Sequence, residues 1–77
     1  MPALLKKGSK GEAVTELQGW LYQLGYNPGS TDGIFGPKTE KAVKAFQRDT
    51  DLQVDGIVGP ATRASLENAI QFTGDRR

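Results

Sequence analysis

The sequence predicts an all-α domain, a compact three-helix bundle with an internal turn-helix repeat whose period is 23 residues. Two observations predict it: apolar residues recur at helical spacing in three segments, and one octet occurs twice. The octet reads DGIFGPKT at 32–39 and DGIVGPAT at 55–62, so six of its eight positions are identical. Each copy combines a tight turn with a helix start, and the same device therefore places two helices.

The first helix is predicted from Gly11 to Leu24. Its apolar residues recur at steps of three and four and form one stripe, made of Val14, Leu17, Leu21 and Leu24. Gly25 is well placed to end the helix in the left-handed conformation that glycine adopts without strain. Trp20 is expected on the flank of the stripe, partly buried, and Tyr22 is expected in solvent.

The second and third helices are predicted to begin at Pro37 and Pro60, because proline suits the first position of a helix. The second helix ends near Asp49. Its apolar face consists of Ala42, Val43 and Phe46. The third helix is expected to direct Ala64, Leu66, Ala69 and Ile70 inward. The domain is predicted to span residues 4–70, with flexible termini at 1–3 and 71–77.

The two octets supply the residues to which we assign structural roles in turns and caps. Asp-Gly suits a turn because glycine adopts positive φ freely and the Asp carboxylate accepts bonds from nearby backbone N–H groups. Gln18 and Gln47 are expected to tie helices to loops, and a ligand role for them stays open. The assigned turn and cap residues are Asp32, Gly33, Gly36, Pro37, Thr39, Asp55, Gly56, Gly59, Pro60 and Thr62.

Composition excludes several classes of function. The 77 residues include neither Cys nor His, which excludes disulfides, thiol nucleophiles, Cys- or His-type zinc sites and Ser-His-Asp triads. A net charge of +1 provides no footprint for nucleic acid. No apolar segment approaches the roughly 20 residues that span a membrane. We expect a monomer with no metal, no cofactor and no nucleic-acid or membrane partner.

Candidate ligand contacts surround the end of the first helix. Aromatic rings stack on the C–H faces of sugars, and amides bond to hydroxyl or N-acetyl groups, so this cluster suits a glycan or glycopeptide. The predicted contacts are Tyr26, Asn27, Tyr22, Trp20, Asp32 and Phe35. Phe35 is equally suited to the core of a small domain. We expect Tyr26→Ala to weaken ligand retention and to leave thermal unfolding nearly unchanged.

Catalysis is not indicated by the acidic residues. Acid–base hydrolysis of a glycosidic bond needs two carboxyl groups held about 5 to 9.5 Å apart. The helical glutamates fall on polar helix faces, where nothing pairs them in a pocket: Glu12, Glu16, Glu40 and Glu67. We therefore predict no catalytic residue.

Signature blocks occur in a fixed order along nearly the whole chain. They are GSKGEAV at 8–14, LQ at 17–18, LGY at 24–26, DGIFGPKT at 32–39, AV at 42–43, FQ at 46–47 and VDGIVGPAT at 54–62. In this order the chain resembles the type-1 three-helix family of peptidoglycan-binding domains, over about residues 4–66. The resemblance implies a wall-binding module of the kind found in cell-wall hydrolases and endolysins.

The implied function is non-catalytic binding to bacterial peptidoglycan (murein), through its glycan or its stem peptide. Such binding would anchor an associated or separately encoded cell-wall hydrolase and raise its local concentration. The implied location is the bacterial cell wall or periplasm, reached without a signal peptide in this chain. Tyr26 and Asn27 are the preferred contacts. Two alternatives stay open: a protein-docking module of a phage or secretion assembly, and a very small cell-wall hydrolase.

Overall fold

Three helices form the domain, and the computed structural model describes residues 4–74. Helix α1 spans Glu12–Gln23, α2 spans Pro37–Asp49 and α3 spans Pro60–Gly74. Helix α1 packs against both α2 and α3, and within residues 4–74 the only β pairing is two isolated bridges. The predicted all-α three-helix bundle is confirmed. No helix in this part of the chain has the length and apolar character needed to cross a membrane.

The first two helices end in the same backbone motif. After α1, Gly25 has a φ of 95° and Tyr26 donates its N–H to a carbonyl of the last helical turn at 2.8 Å. After α2, Asp51 has a φ of 63° and Leu52 donates in the same way, also at 2.8 Å. Both are Schellman motifs, which satisfy carbonyl groups left over at a helix end. The left-handed conformation predicted for Gly25 is confirmed.

The core joins the apolar faces of the helices to both octets. Its buried apolar residues are Leu5, Val14, Leu17, Leu21, Phe35, Ala42, Val43, Phe46, Val58 and Leu66. The predicted stripe of α1 and face of α2 are confirmed, although Leu24 is only half-buried. On α3 the prediction for Ala64 is wrong: Thr62 and Leu66, four residues apart, define the buried face, and Ala64 between them is exposed.

Helix α3 continues past the end of the predicted domain. The apolar pattern stops at Ile70, whereas the helix reaches Gly74. Polarity alone does not end a helix, and Gly74 is the first helix-breaking residue after Pro60. The stretch 71–74 is therefore helical. Residues 1–3 and 75–77 lie outside the described part of the chain, so the flexibility assigned to them remains a prediction, as do the domain boundaries.

An extended segment before α1 connects the two octets. Leu5 exchanges two backbone hydrogen bonds with Val58, of 3.1 and 2.8 Å. Phe35 donates its N–H to the Ser9 carbonyl and accepts the N–H of Gly8, both at 2.9 Å. Phe35 and Val58 hold the same position in their octets, so one segment pairs with both copies. Backbone pairing of this kind leaves no side-chain signature, and the sequence pattern did not predict it.

A buried glutamine of α1 holds the first octet. The Gln18 carbonyl oxygen Oε1 accepts the N–H of Gly33 at 2.9 Å. Its Nε2 donates to the Ile34 carbonyl at 2.9 Å and to the Thr39 hydroxyl at 3.0 Å. One side chain thus connects α1 to the turn and to the first turn of α2. Gly33 has a φ of 80°, which explains why glycine stands there.

The second octet is held by α2 in the same way. Gln47 Oε1 accepts the N–H groups of Gly56 at 2.9 Å and Asp55 at 3.1 Å. Its Nε2 donates to the Ile57 carbonyl and the Thr62 hydroxyl, both at 3.1 Å. The structural repeat is therefore larger than the octet, because it includes a glutamine on the preceding helix.

Candidate ligand-binding groove

A groove of about 390 Å³ lies where the end of α1 meets the exposed face of α2. Its lining residues are Gly25, Tyr26, Asn27, Lys38, Lys41, Ala42 and Ala45. We call it the Tyr26 groove. A smaller cleft of about 190 Å³ adjoins it, since it shares Gly25, Tyr26 and Asn27 and adds Tyr22. The Schellman motif after α1 places the ring and the amide, and the first half of α2 places the two lysines.

Tyr26 is half-buried, and its ring serves both the groove and the core. The ring meets Phe46 edge-on, with centroids 5.8 Å apart and planes at 89°. Its hydroxyl donates to Asp49 Oδ2 at 2.7 Å. Burial, then the hydrogen bond and the negative charge of Asp49, raise the pKa of Tyr26, so the hydroxyl stays a proton donor at neutral pH. This packing contradicts the expectation that Tyr26→Ala leaves thermal unfolding nearly unchanged.

Asn27 and Tyr22 are more exposed than Tyr26. Asn27 Oδ1 accepts the N–H of Gly29 at 3.0 Å, which stabilises the loop after α1. Tyr22 is 71% exposed, as predicted, and its ring borders the cleft beside the groove. The structure therefore brings together three of the predicted contacts, Tyr22, Tyr26 and Asn27.

Two lysines of the groove were missed by sequence reasoning. Lys38 and Lys41 lie on the same side of α2, three residues apart, and both are exposed. The ion pairs found within residues 4–74 all involve Arg63, so neither lysine is paired there. A signal was present in the repeat: 23 residues later, alanine stands at both positions, Ala61 and Ala64.

Trp20 lies apart from the groove, between α1 and α3. It is half-buried as predicted, and the Arg63 guanidinium of α3 lies 5.4 Å from the centroid of its ring. Arg63 also pairs with Glu16 of α1 at 3.5 Å and with Glu67 at 3.3 Å. The ring thus belongs to the contact between the two helices, and it does not line the Tyr26 groove.

The last two predicted contacts, Asp32 and Phe35, differ in exposure. Asp32 is exposed and lines a neighbouring groove of about 450 Å³ that shares Lys38 with the Tyr26 groove. Its carboxylate accepts the N–H of Ile34 at 3.0 Å, an Asx turn. Phe35 is only 1% exposed, so its assignment as a ligand contact is wrong. The residue at the fourth octet position belongs to the core in both copies, and its backbone pairs with the segment before α1.

A match to a known protein family extends over both octets and the Tyr26 groove. Residues 10–66 match the model of the peptidoglycan-binding domain family, a stretch that includes both octets and every lining residue of the Tyr26 groove. The chain belongs to this family. This peptidoglycan-binding domain also closely matches the solved SleB N-terminal domain, with a TM-score of 0.88 and 37% identity over 91% of this chain and 96% of that one.

Two further relatives are larger than this domain. A peptidoglycan-binding protein from Clostridioides difficile, solved in complex with glutamine hydroxamate, has a TM-score of 0.87 and 41% identity, over 92% of this chain and 44% of that one. The spore cortex-lytic enzyme of Halalkalibacterium halodurans is 38% identical over 72 residues. That match covers 94% of this chain but only 22% of the enzyme.

Proposed function

We propose that this domain binds peptidoglycan through the Tyr26 groove and performs no bond cleavage itself. The observation that carries the proposal is the Tyr26 groove with its adjoining cleft, where two tyrosines, an amide and two lysines that form no ion pair within residues 4–74 meet at the surface of a chain of this family. Tyrosine rings offer apolar faces to sugar or peptide C–H groups, and the amide and lysines offer hydrogen-bond donors. Peptidoglycan presents acceptors of both kinds, N-acetyl groups on its sugars and carboxylates on its stem peptides.

The position of the carboxylates supports a role without catalysis. The lining of the Tyr26 groove includes no Asp or Glu. Glu16 and Glu67 instead pair with Arg63 on the α1–α3 side of the bundle. Asp49 accepts a hydrogen bond from the hydroxyl of the lining residue Tyr26. A pair of carboxyl groups facing each other across a substrate cleft, as glycoside hydrolysis requires, is not assembled in this groove.

A module of this kind would act by attaching an enzyme to the cell wall. The spore cortex-lytic enzyme is about four to five times longer than the part that this domain matches, which suits an arrangement of one wall-binding module beside a separate catalytic part. We propose that the domain anchors a cell-wall hydrolase, attached or separately encoded, at the bacterial cell wall. Holding an enzyme on an insoluble polymer raises its effective concentration there without any new contact at its active site.

Sedimentation with purified, insoluble sacculi tests the proposal. The wild-type domain is expected in the pellet at moderate salt, and Tyr22→Ala is expected to shift a measurable fraction to the supernatant. Because Tyr22 is 71% exposed, this variant should unfold at nearly the wild-type temperature. Val54→Ala is a matched control, since Val54 is also exposed, at 47%, and does not line the groove.

Two results would contradict the proposal. A folded wild-type domain that stays in the supernatant, while a known wall binder sediments under the same conditions, would favour the protein-docking alternative. Release of soluble fragments from sacculi by the isolated domain would establish it as a small hydrolase.

A further inference from the structure

We infer that the Tyr26 groove recognises the carboxylate-bearing stem peptide of peptidoglycan in preference to its neutral glycan strand, and that Lys38 and Lys41 provide the selectivity. The inference rests on the proposed function and specifies the part of the polymer that this site holds. Its evidence is the charge of the groove and the contrast between the two halves of the repeat.

The groove presents positive charge with no neutralising partner in its lining. Lys38 and Lys41 are exposed, three residues apart on α2, and unpaired within the described residues 4–74. Asp49, which is not a lining residue, accepts a hydrogen bond from the Tyr26 hydroxyl, and the lining itself contains no Asp or Glu. Arg48 is close enough to act on Tyr26 electrostatically and adds to the positive side. A neutral sugar gains little from two such cations, whereas a carboxylate gains a charge-assisted hydrogen bond.

The chain contains a natural comparison for this groove. A second groove, of about 380 Å³, lies between the end of α2 and α3 and is lined by Thr50, Ser65, Asn68 and Ala69. Two of these residues, Ser65 and Asn68, stand 23 positions after the groove residues Ala42 and Ala45. A hollow of nearly the same volume therefore occurs twice, once at the end of α1 and once at the end of α2.

The two grooves have nearly the same volume, but the repeats that form them differ in chemistry. At the positions that correspond to Lys38 and Lys41, the second repeat has Ala61 and Ala64. The buried glutamine, glycine and threonine of each repeat are nevertheless the same. The fold thus requires the buried set and does not require the lysines, so the cations of the first groove serve something other than stability.

Two soluble probes separate a stem peptide from a glycan. The first is a stem tetrapeptide with free carboxylates, compared with the same peptide after amidation of its carboxylates. The second is an oligomer of N-acetylglucosamine, used as the bare glycan because it has the N-acetyl groups of the strand and no carboxylate. Binding is followed by NMR titration of the backbone amides of Asn27 and Lys41. We expect the free peptide to shift these signals, amidation to weaken its binding about 3- to 30-fold, and the bare glycan to bind more weakly than the peptide.

The lysines are tested with Lys38→Ala/Lys41→Ala, which gives the first repeat the residues of the second. Because alanine starts α3 in the same setting, we expect this variant to unfold at nearly the wild-type temperature. It should bind the free peptide about 3- to 30-fold more weakly and respond less to amidation and to salt. Lys6→Ala/Lys7→Ala is the matched control, as it removes the same charge from exposed positions outside the groove and should bind as the wild type.

The outcomes distinguish this inference from the function on which it rests. If the domain binds sacculi freed of secondary polymers, and the bare glycan and the amidated peptide each bind as tightly as the free peptide, the inference is overturned and peptidoglycan binding is left intact. Unchanged peptide binding by Lys38→Ala/Lys41→Ala would also overturn it. Equal losses in both double variants would indicate a general charge effect, which again contradicts a specific role. Failure of the wild type to bind sacculi would overturn both.

Discussion

Replacing Gln18 by Met tests whether the buried amide organises the first octet. Methionine has nearly the same length and an unbranched chain, so the substitution removes hydrogen bonds without creating a large cavity. Gln18 is fully buried, and the substitution leaves the Gly33 N–H and the Ile34 carbonyl without a partner. Thr39 keeps one of its two bonds, the 3.0 Å bond to the Pro28 carbonyl.

The cost follows from which of these groups are buried. A buried donor or acceptor left unpaired costs about 1–3 kcal/mol. The Gly33 N–H is buried, whereas the bond to the Ile34 carbonyl is only partly buried and water can replace it in part. We therefore expect Gln18→Met to lower the free energy of unfolding by about 2–4 kcal/mol. For a chain of 77 residues, whose total stability is about 4–12 kcal/mol, this is a large fraction.

Urea unfolding followed by circular dichroism measures the effect. Gln23→Met is the matched control, because Gln23 lies on the same helix with an exposed side chain and should change stability by no more than about 0.5 kcal/mol. Gln47→Met, at the equivalent position of the second repeat, should behave like Gln18→Met. A loss below about 1 kcal/mol for both buried positions would refute the view that these glutamines hold the turns.

Two further predictions concern the turns. Gly33→Ala should destabilise by about 1–3 kcal/mol in the same assay, because the φ of Gly33 is 80° and a Cβ would stand 2.8 Å from Thr15 Oγ1. Gly19→Ala should instead stabilise by about 0.5–1 kcal/mol, since Gly19 lies inside α1 and a Cβ there meets no atom within 4 Å; equal effects would contradict the account. The Ile57 N–H and then Gln47 lower the pKa of Asp55. Its contribution to stability is therefore present above the ordinary Asp pKa of about 3.9 and is lost as pH falls through the lower, folded value. Asp55→Asn should lose less thermal stability than the wild type between about pH 6 and about pH 2, and equal losses would show that the carboxylate has no such role.

Local patterns in the sequence determined the helices and the family. The starts of α2 and α3 follow from the Gly-Pro pair in each octet, because the fixed φ of proline suits the first helical position and the N–H that proline lacks would be unpaired there. The end of α1 follows from Gly25 in the same way. The apolar stripes of α1 and α2 follow from helical periodicity, since residues three and four apart share a face. These are all properties of residues that are close in the chain.

The tertiary structure alone decided which exposed groups meet. Phe35 and Tyr26 both follow turn residues, yet Phe35 is 1% exposed and Tyr26 borders a groove. The backbone of Phe35 pairs with the segment before α1, a contact between distant parts of the chain. Lys38 and Lys41 lie on α2 and Asn27 lies in the loop after α1, yet all three line the Tyr26 groove. Periodicity indicates which face of a helix is buried; it does not indicate which exposed residues of two helices become neighbours. Which exposed residues become neighbours depends on how the two repeats pack, and the composition of the groove therefore depends on that packing.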